Sequence, residues 1–281
     1  MGESSVLVTG CSSGIGRCVA LGLHARGYRV IATARKADDL RALRDAGLHA
    51  LELHLDDPHS VAAAAQAALD IGGGHVYGLF NNGAYGQPGA VEDLRWEVLE
   101  AQLRTNLLGW HELTRRLIPA MRAHGAGRII QNSSVLGLVA MPYRGAYNCS
   151  KFALEGLTDT LRLELHGSGV HVSLVEPGPI VSRFRENAFA KFREHIDAQG
   201  SVHRDNYQAM IARLAHEGPT TRFTLPPEAV LKRVIHALES RRPRARYAVT
   251  TPTYVFAFLR RLLSTRQLDA LLRRASGGGS R

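Results

Sequence analysis

The sequence predicts an α/β protein built on a doubly wound parallel sheet of about seven strands, with helices on both faces. The first half of the 281-residue chain alternates short β-branched runs with helical stretches, which is typical of parallel sheets. Glycine-bearing turns at Gly27 and Gly47 separate helix from strand, as a helix C-cap requires. No internal repeat and no Pro/Ser-rich linker divides the chain, so we interpret residues 1–281 as one domain.

The strands are predicted from short apolar runs and the helices from a 3.6-residue periodicity. The predicted strands are Val6–Thr9, Arg29–Thr33, Ala50–His54, Val76–Phe80, Arg128–Asn132, His171–Val175 and Arg246–Val249. The predicted helices between them are Ile15–Arg26, Asp38–Ala46, Ser60–Leu69, Glu92–Ala123 and Ala146–His166. Residues 180–226 hold two helical pieces, Ala188–Gln199 and Tyr207–Glu217, without a strand, which is typical of a substrate lid. Prolines then begin a further helix at Ala229–Glu239.

The net charge of +10 is concentrated towards the end of the sequence. From Arg241 onward there are ten arginines and a single acid, Asp269, whereas the preceding 240 residues are nearly neutral. Basic and aromatic residues are not interleaved as they are in nucleic-acid-binding segments. We therefore exclude nucleic acid as a partner and expect a local surface function for the basic region.

Cysteine usage and the absence of targeting signals indicate a cytoplasmic protein. Cys11, Cys18 and Cys149 form no CxxC pair and no His/Cys cluster, so we predict reduced thiols and no metal site. The N-terminus enters an apolar run at Val6 without a basic region and a separate apolar stretch, which argues against a secretory signal. No run of 18 apolar residues exists that could span a membrane.

A glycine-rich turn joins the first predicted strand to the first predicted helix. The run from Thr9 to Gly16 reads Thr-Gly-Cys-Ser-Ser-Gly-Ile-Gly. At such a helix N-terminus the backbone amides approach a pyrophosphate, and the helix dipole favours the anion. The alternative is that these glycines serve only the packing of the turn. The residues predicted to bind a dinucleotide here are Gly10, Ser12, Gly14, Ile15 and Gly16.

The end of the second strand indicates which nicotinamide cofactor is bound. An acidic residue at this position binds the ribose hydroxyls of NAD, but Ala34 occupies it here, and Arg35 and Lys36 follow. A guanidinium suits a 2′-phosphate, and Ser12 can add a hydroxyl donor. The sequence thus favours NADP(H) over NAD(H). The alternative is that Arg35 is simply an exposed residue before a helix.

Four polar residues form the candidate catalytic set. Tyr147 and Lys151 lie one helical turn apart, so both side chains are on one face of a predicted helix. Ser134 lies 13 residues before Tyr147, at the end of the fifth strand, and Asn106 lies upstream. Together with the glycine turn and Pro177-Gly178, this pattern resembles that of the short-chain dehydrogenase/reductase family over roughly residues 4–185. The resemblance implies a Rossmann-like fold.

The resemblance also implies a mechanism. Hydride transfer to a carbonyl leaves an oxyanion that must gain a proton, and a tyrosine with an ordinary pKa is a poor base at neutral pH. The Lys151 ammonium would lower the pKa of Tyr147, and Ser134 would polarise the carbonyl. In the family the lysine also holds the nicotinamide ribose, and the asparagine, here Asn106, anchors a proton-relaying water. We expect an enzyme; the alternative is a cofactor-binding redox sensor without turnover.

Two positions depart from the family pattern. The turn after the fourth strand, which usually reads Asn-Asn-Ala-Gly, is Asn-Asn-Gly-Ala over residues 81–84, so the backbone path near the adenosine ribose is uncertain. Asn82 is nevertheless expected to contact the cofactor. His54 stands where the family usually has an aspartate beside the adenine, and we assign it no role.

The segment from Val175 to Phe184 resembles the branch of 17β-hydroxysteroid and retinol dehydrogenases and bacterial aldehyde reductases. Its predicted cofactor contacts are Pro177, Gly178, Ile180 and Ser182. Four aromatic residues follow, which either line a hydrophobic pocket or only pack the lid: Phe184, Phe189, Phe192 and Tyr207. We expect a small hydrophobic aldehyde, ketone or alcohol as the substrate. Family members are often dimers or tetramers, so a homo-oligomer is expected.

The basic region at residues 253–274 predicts two amphipathic helices. One arc of the first helix is apolar and comprises Val255, Phe256, Phe258, Leu259, Leu262 and Leu263. Arg260 and Arg261 lie opposite, and Ser264 with Gln267 forms a capping box that begins the second helix. Two interpretations remain open. The helices pack over the domain or a neighbouring subunit, or they attach the protein peripherally to an anionic membrane.

Overall fold

Seven parallel strands form one sheet in the computed structural model, which describes residues 4–216, 218 and 221–275. The strands are β1 (Ser5–Val8), β2 (Arg29–Ala34), β3 (His49–Glu52), β4 (Gly78–Asn81), β5 (Gly127–Asn132), β6 (Val170–Glu176) and β7 (Arg246–Ala248). Their order is β3-β2-β1-β4-β5-β6-β7, and every neighbouring pair is parallel. The strand order reverses between β1 and β4, where open α/β sheets bind ligands at the carboxyl ends of their strands.

Helices cover both faces of this sheet, which confirms the predicted fold class. They are α1 (Gly14–His24), α2 (Ala37–Asp45), α3 (Pro58–Ile71), α4 (Trp96–Leu103), α5 (Gly109–His124), α6 (Gly145–Glu164), α7 (Phe184–His195), α8 (Arg204–Ala215), α9 (Glu228–Glu239), α10 (Thr251–Leu262) and α11 (Thr265–Ala275). The predicted capping box is confirmed, because the Ser264 backbone amide donates to Gln267 Oε1 over 3.0 Å at the start of α11. Within the described residues, no helix is long and apolar enough to cross a bilayer.

The two core layers follow from the alternation of side chains along each strand. On β1, Val6 and Val8 point to the layer that contains α1 and α9, whereas Leu7 points to the layer that contains α3 and α5. All three side chains are fully buried. Burying each stabilises the fold by about 1.5–3 kcal/mol. A sheet buried on both faces therefore needs apolar residues at consecutive positions, as this strand has.

The helix predicted at residues 92–123 begins later, at Trp96, and contains a π-helical stretch that the sequence did not predict. The chain forms a short 3₁₀ turn, then α4, then a π-helical stretch at Arg104–Leu108, and only then α5. A π-helical stretch inserts one extra residue in a turn and often marks a functional site. Here it contains Asn106, whose side chain is fully buried. The interruption therefore positions a candidate catalytic residue.

The region between β6 and α9, which was predicted to be a lid, is helical and has a small core of its own. Its helices are displaced from the predicted ranges towards the N-terminus, since α7 ends where Ile196 turns to an extended, buried conformation. Phe192 and Tyr207 are buried in this core, with ring centroids 5.2 Å apart. The Tyr207 hydroxyl accepts a hydrogen bond from the Ala90 amide over 2.9 Å and donates one to Asp93. The lid is thereby tied to the loop after β4.

Candidate active site

The glycine turn is drawn tightly against the ends of β2 and β4. The Cys11 amide donates to the Thr33 carbonyl over 2.8 Å. Gly10 has a φ of +72°, and a Cβ placed on it would lie 2.6 Å from Gly83 Cα. A Cβ on Gly16 would lie 2.1 Å from the Gly10 carbonyl oxygen. Since no side chain fits at either position, the turn keeps its backbone bare at the N-terminus of α1, as a pyrophosphate site requires.

A hydrogen-bond network joins this turn to the ends of β4 and β5. The Thr9 hydroxyl accepts hydrogen bonds from the amides of Asn82 and Gly83, over 2.8 and 2.9 Å. The side-chain Nδ2 of Asn82 donates to the Thr9 carbonyl over 3.0 Å, and the side-chain Nδ2 of Asn132 donates to Asn82 Oδ1 over 2.9 Å. The Asn82 side chain, predicted as a cofactor contact, therefore holds three strand ends in register around the site.

The exchanged Gly83 and Ala84 leave the backbone path ordinary, since neither has a positive φ. Gly83 instead makes close packing contacts: a Cβ there would lie 3.0 Å from Leu55 Cδ1 and 3.3 Å from the Gly10 nitrogen. The Gly83 carbonyl accepts a hydrogen bond from Trp110 Nε1 over 2.8 Å. His54, the other departure from the family pattern, hydrogen-bonds Glu52 over 3.0 Å.

Arg35 lies directly after β2 and is exposed, beside the glycine turn that contacts Thr33. The last residue of the strand is the buried Ala34, and not an acid. Among the described residues, no carboxylate forms an ion pair with Arg35, whereas Arg41 nearby pairs with Asp38. The guanidinium of Arg35 is therefore available to an external anion.

The segment after β6 lies over the glycine turn, as its predicted cofactor contacts require. A Cβ on Gly14 would lie 2.9 Å from Ser182 Cβ, so these two residues face each other directly. Pro177 is buried, and its carbonyl accepts a hydrogen bond from the Val135 amide over 2.8 Å. Ile180 pairs with Leu225 in an isolated parallel bridge. An open groove of about 850 Å³ runs alongside, between the start of α1 and this segment.

Tyr147 and Ser134 meet at the carboxyl end of β5. Ser134 follows the strand and accepts a hydrogen bond from the Leu136 amide over 3.1 Å, which orients its hydroxyl. Burial raises the pKa of Tyr147 to about 12, and a hydrogen bond with Ser134 opposes part of this rise. The ring of Phe184 lies 5.3 Å from the Tyr147 ring in an edge-on arrangement. The phenol is therefore neutral at physiological pH and placed to donate a proton.

Lys151 is buried on the same face of α6 as Tyr147. Its ammonium donates to the Asn132 carbonyl over 2.8 Å. The Nζ atom lies 4.3 Å from the ring centroid of Trp110 and 5.6 Å from that of Tyr147. Burial lowers the pKa of Lys151 from 10.5 to about 7, and the charge of Glu155 opposes this change. Sequence reasoning missed Trp110, since no local pattern links it to Lys151.

Asn106 is held by the loop after β4 and does not touch Lys151 directly. Its Nδ2 donates to the Tyr85 carbonyl over 2.8 Å, and its Oδ1 accepts from the Tyr85 amide over 3.2 Å. The same Nδ2 lies 3.3 Å from the Ser150 hydroxyl, which precedes Lys151 on α6. Asn106 therefore couples the π-helical stretch to both the loop and α6.

The apolar surface beside Tyr147 comes mainly from an unexpected part of the chain. Val135, Leu136 and Val139, which follow Ser134, form a cluster with Leu272, and Met141, Tyr147, Phe256 and Leu268 pack against it. Helices α10 and α11 thus cover the catalytic loop. Of the four predicted pocket aromatics, only Phe184 contacts Tyr147, whereas Phe192 and Tyr207 lie inside the lid and Phe189 packs against them. For these three the packing alternative is correct.

The site contains no candidate metal cluster. Among residues 4–216, 218 and 221–275, no group of three or more His, Cys, Asp or Glu side chains could hold an ion.

Comparison with known sequences agrees with this geometry. The sequence model of the short chain dehydrogenase family matches residues 4–192. The chain belongs to this family. It is an oxidoreductase family, and the matched region contains the glycine turn and all four candidate catalytic residues.

Relatives of this short-chain dehydrogenase include the uncharacterized oxidoreductase YbbO of Escherichia coli, 42% identical over 96% of this chain and 94% of the relative. Human 17-beta-hydroxysteroid dehydrogenase type 1 is 33% identical over 89% of this chain and 78% of the relative. Among solved structures, a Burkholderia phymatum short chain dehydrogenase/reductase in complex with NAD superimposes with a TM-score of 0.77 at 25% identity, covering 96% and 95% of the two chains. A variant of actinorhodin polyketide ketoreductase with NADPH has a TM-score of 0.72 at 28% identity, covering 88% and 95%.

Proposed function

We propose that this protein is an NADP(H)-dependent oxidoreductase that interconverts a hydrophobic aldehyde or ketone and its alcohol. The observation that carries the proposal is the convergence of a phenol, a hydroxyl and a buried ammonium beside the bare glycine turn: Tyr147, Ser134 and Lys151. Fold alone would not support it, because function resides in the site.

The residues present fit a nicotinamide dinucleotide. Gly10 and Gly16 leave a backbone cradle that any Cβ would fill, and Ser182 closes over the turn from the other side. When bound, the nicotinamide supplies or accepts the hydride. The exposed Arg35, together with the absence of an acid at Ala34, supports the 2′-phosphorylated form. Solved relatives carry NAD in one case and NADPH in another, so the choice rests on Arg35.

The chain's own groups account for proton handling at the substrate oxygen. The Ser134 hydroxyl, oriented by the Leu136 amide, donates a hydrogen bond to the carbonyl and polarises it. Because burial raises the pKa of Tyr147 to about 12, the neutral phenol is the proton donor in the reductive direction. In the oxidative direction the phenol must lose its proton, and the nearby Lys151 ammonium favours the phenolate. Lys151 also anchors β5 through the Asn132 carbonyl.

The surroundings of Tyr147 support a hydrophobic substrate. Val139, Met141, Phe256 and Leu268 lie in the same apolar cluster as its ring, and Phe184 covers the opposite side. A pocket with apolar walls and few polar groups binds a carbonyl compound by its hydrocarbon part and orients it by its oxygen. The human relative is named as a dehydrogenase of 17-beta-hydroxysteroids, and a steroid is a hydrophobic substrate of this kind.

We further propose a cytoplasmic homo-oligomer. The three cysteines form no disulfide: Cys11 is buried, Cys18 half-buried and Cys149 exposed. Helix α6 presents apolar side chains to solvent, including Leu163, and such a surface is suited to a second copy of the chain. Sedimentation analysis of the purified protein tests this, and a monomer at micromolar concentration would contradict it.

The experiment that tests the enzymatic proposal compares wild type with Tyr147→Phe. We expect wild type to oxidise NADPH faster with long-chain or retinoid-like carbonyls than with small sugars. The phenylalanine variant keeps the ring that packs against Phe184, so it should still bind NADPH, measured by nucleotide fluorescence, but turn over less than a thousandth as fast. Retained turnover would remove Tyr147 from the mechanism. NADPH binding by wild type without turnover on any carbonyl would favour a redox sensor.

A further inference from the structure

Helix α10 presents an apolar strip to solvent. Phe258 and Leu262 are 61% and 64% exposed, and Tyr254 and Val255 are also exposed. At 100° per residue these four positions lie within about a quarter of the helix circumference. Isolated exposed apolar residues are ordinary, but a contiguous strip on one helix marks an interaction surface.

The strip is not a consequence of a loosely attached helix. On the opposite side of α10, Phe256 packs against the cluster of Val135, Leu136 and Val139, and Leu272 of α11 is buried in the same cluster. The guanidinium of Arg260 lies 5.5 Å from the ring centroid of Phe152 on α6. Since one side of the helix is fixed in this way, its apolar strip is held facing outward.

A cationic pocket adjoins the strip. It has a volume of about 180 Å³, and its walls include Arg233, Arg244 and Arg261 together with Tyr254. The wall also contains Glu176 and a fourth arginine, Arg246, which forms ion pairs with Glu176, Glu155 and Asp159.

The other three arginines of the pocket keep their charge available. In the part of the chain that the structure describes, no carboxylate forms an ion pair with Arg233, Arg244 or Arg261. Arg233 donates instead to the Tyr254 hydroxyl over 3.3 Å, and that hydroxyl donates to the Ala248 carbonyl over 2.8 Å. Several guanidinium groups around a small polar pocket are suited to the oxygens of a phosphate.

The strip and the pocket share residues. Tyr254 belongs to both, and Arg261 lies on the edge of the strip and in the wall of the pocket. We propose that this face of α10 docks on an anionic phospholipid membrane. The headgroup phosphate enters the arginine pocket, while Phe258 and Leu262 insert among the acyl chains. The proposal concerns a surface separate from the catalytic residues and stands whether or not the enzymatic proposal holds.

The positive charge of the arginines favours a membrane over a second copy of the chain as the partner of this surface. A two-fold interface would bury this same patch of both copies, so the arginines of both copies would be brought together in one interface. Like charges in contact repel, whereas anionic headgroups attract each exposed arginine near the surface. From Arg241 onward the sequence has ten arginines against one acid, so the region as a whole has the sign that such a membrane requires.

The test is co-sedimentation of the full-length protein with vesicles of phosphatidylcholine alone or with about one third phosphatidylglycerol. We expect binding to the mixed vesicles only, weakened by about 0.5 M salt, where screening is strong. Arg244→Gln and Arg261→Gln should each weaken it about fivefold. Phe258→Ser with Leu262→Ser should weaken it at least tenfold. Matched controls are Arg41→Gln and Val202→Ser, at exposed positions elsewhere, and neither should change binding.

Three results would overturn the proposal. The first is recovery of wild type in the supernatant with anionic vesicles at low salt, which needs no variant. The second is binding of glycerol phosphate to the pocket, measured by calorimetry, as tight as that of vesicles, which would make it a soluble-anion site. The third is a lower sedimentation coefficient of the Phe258 and Leu262 variant with unaltered vesicle binding, which would make the strip a subunit interface. Circular dichroism melting confirms that each variant is folded.

Discussion

Replacing Trp110 should shift the pH dependence of the reaction, because its ring faces the Lys151 ammonium at 4.3 Å. A desolvated cation–π contact stabilises the charged amine by up to about 2 kcal/mol. Since 1.36 kcal/mol corresponds to one pKa unit, Trp110→Leu should lower the pKa of Lys151 by about one pH unit or slightly more. The starting pKa is about 7, so the change falls in an accessible range.

The assay is the pH profile of kcat/KM for the cofactor, which reports groups of the free enzyme. In the proposed mechanism the ammonium favours the phenolate, so activity in the oxidative direction should fall as pH rises through the pKa of Lys151. In Trp110→Leu this falling limb should move to lower pH. Trp110 is fully buried, so the same change should also cost about 3 kcal/mol of stability.

Trp110→Phe is the matched control. Phenylalanine keeps an aromatic face for the ammonium but cannot donate to the Gly83 carbonyl, as Nε1 now does over 2.8 Å. The variant should lose about 1–3 kcal/mol of stability through the unpaired acceptor and keep most of the wild-type pH profile. If the leucine and phenylalanine variants have the same profile as wild type, Trp110 only packs, and its stabilisation of the Lys151 ammonium is refuted.

Two further substitutions test the electrostatics of the site. Arg35→Ala should raise the KM for NADPH about tenfold and leave that for NADH unchanged in initial-rate assays; equal effects on both would contradict the assignment to the 2′-phosphate. Lys151→Met should abolish turnover and yet stabilise the fold. Burial lowers the pKa of Lys151 from 10.5 to about 7, so the unfolded chain binds a proton that the folded protein releases between these values. Wild-type stability should therefore rise with pH over this range, and the variant should lack that rise and be more stable by on the order of 2 kcal/mol at about pH 6 in urea unfolding. A variant less stable than wild type at about pH 6 would show that the hydrogen bond to Asn132 outweighs the burial cost.

The strands were predictable because a parallel sheet covered on both faces requires uninterrupted apolar runs, as at Val6–Val8. The break at Arg104–Leu108 was not predictable, since a π-helical insertion leaves the apolar periodicity on either side nearly unchanged. The Asn106 side chain in this stretch makes two hydrogen bonds to the backbone of Tyr85, which are contacts between separate elements.

The candidate site also contains residues that the sequence could predict and residues that it could not. Tyr147 and Lys151 could be paired from sequence, because helical spacing alone places them on one face. Trp110 could not, since it meets Lys151 only when α5 and α6 pack together. The sequence left two interpretations of the aromatic residues of the lid for a similar reason: composition shows that Phe192 and Tyr207 are apolar, but only packing shows that they face each other.

The cover that α10 and α11 place over the catalytic loop has a consequence for how the enzyme matures. Phe256, Leu268 and Leu272 are translated after every catalytic residue, yet they complete the apolar packing around Val135 and Leu136 beside Ser134. Chains emerge from the ribosome at about 5–20 residues per second, so a nascent protein holds its full set of reactive groups for several seconds before these residues arrive. During that interval the loop after β5 lacks its cover, and the last helices to be made act as the final step in assembling a working centre.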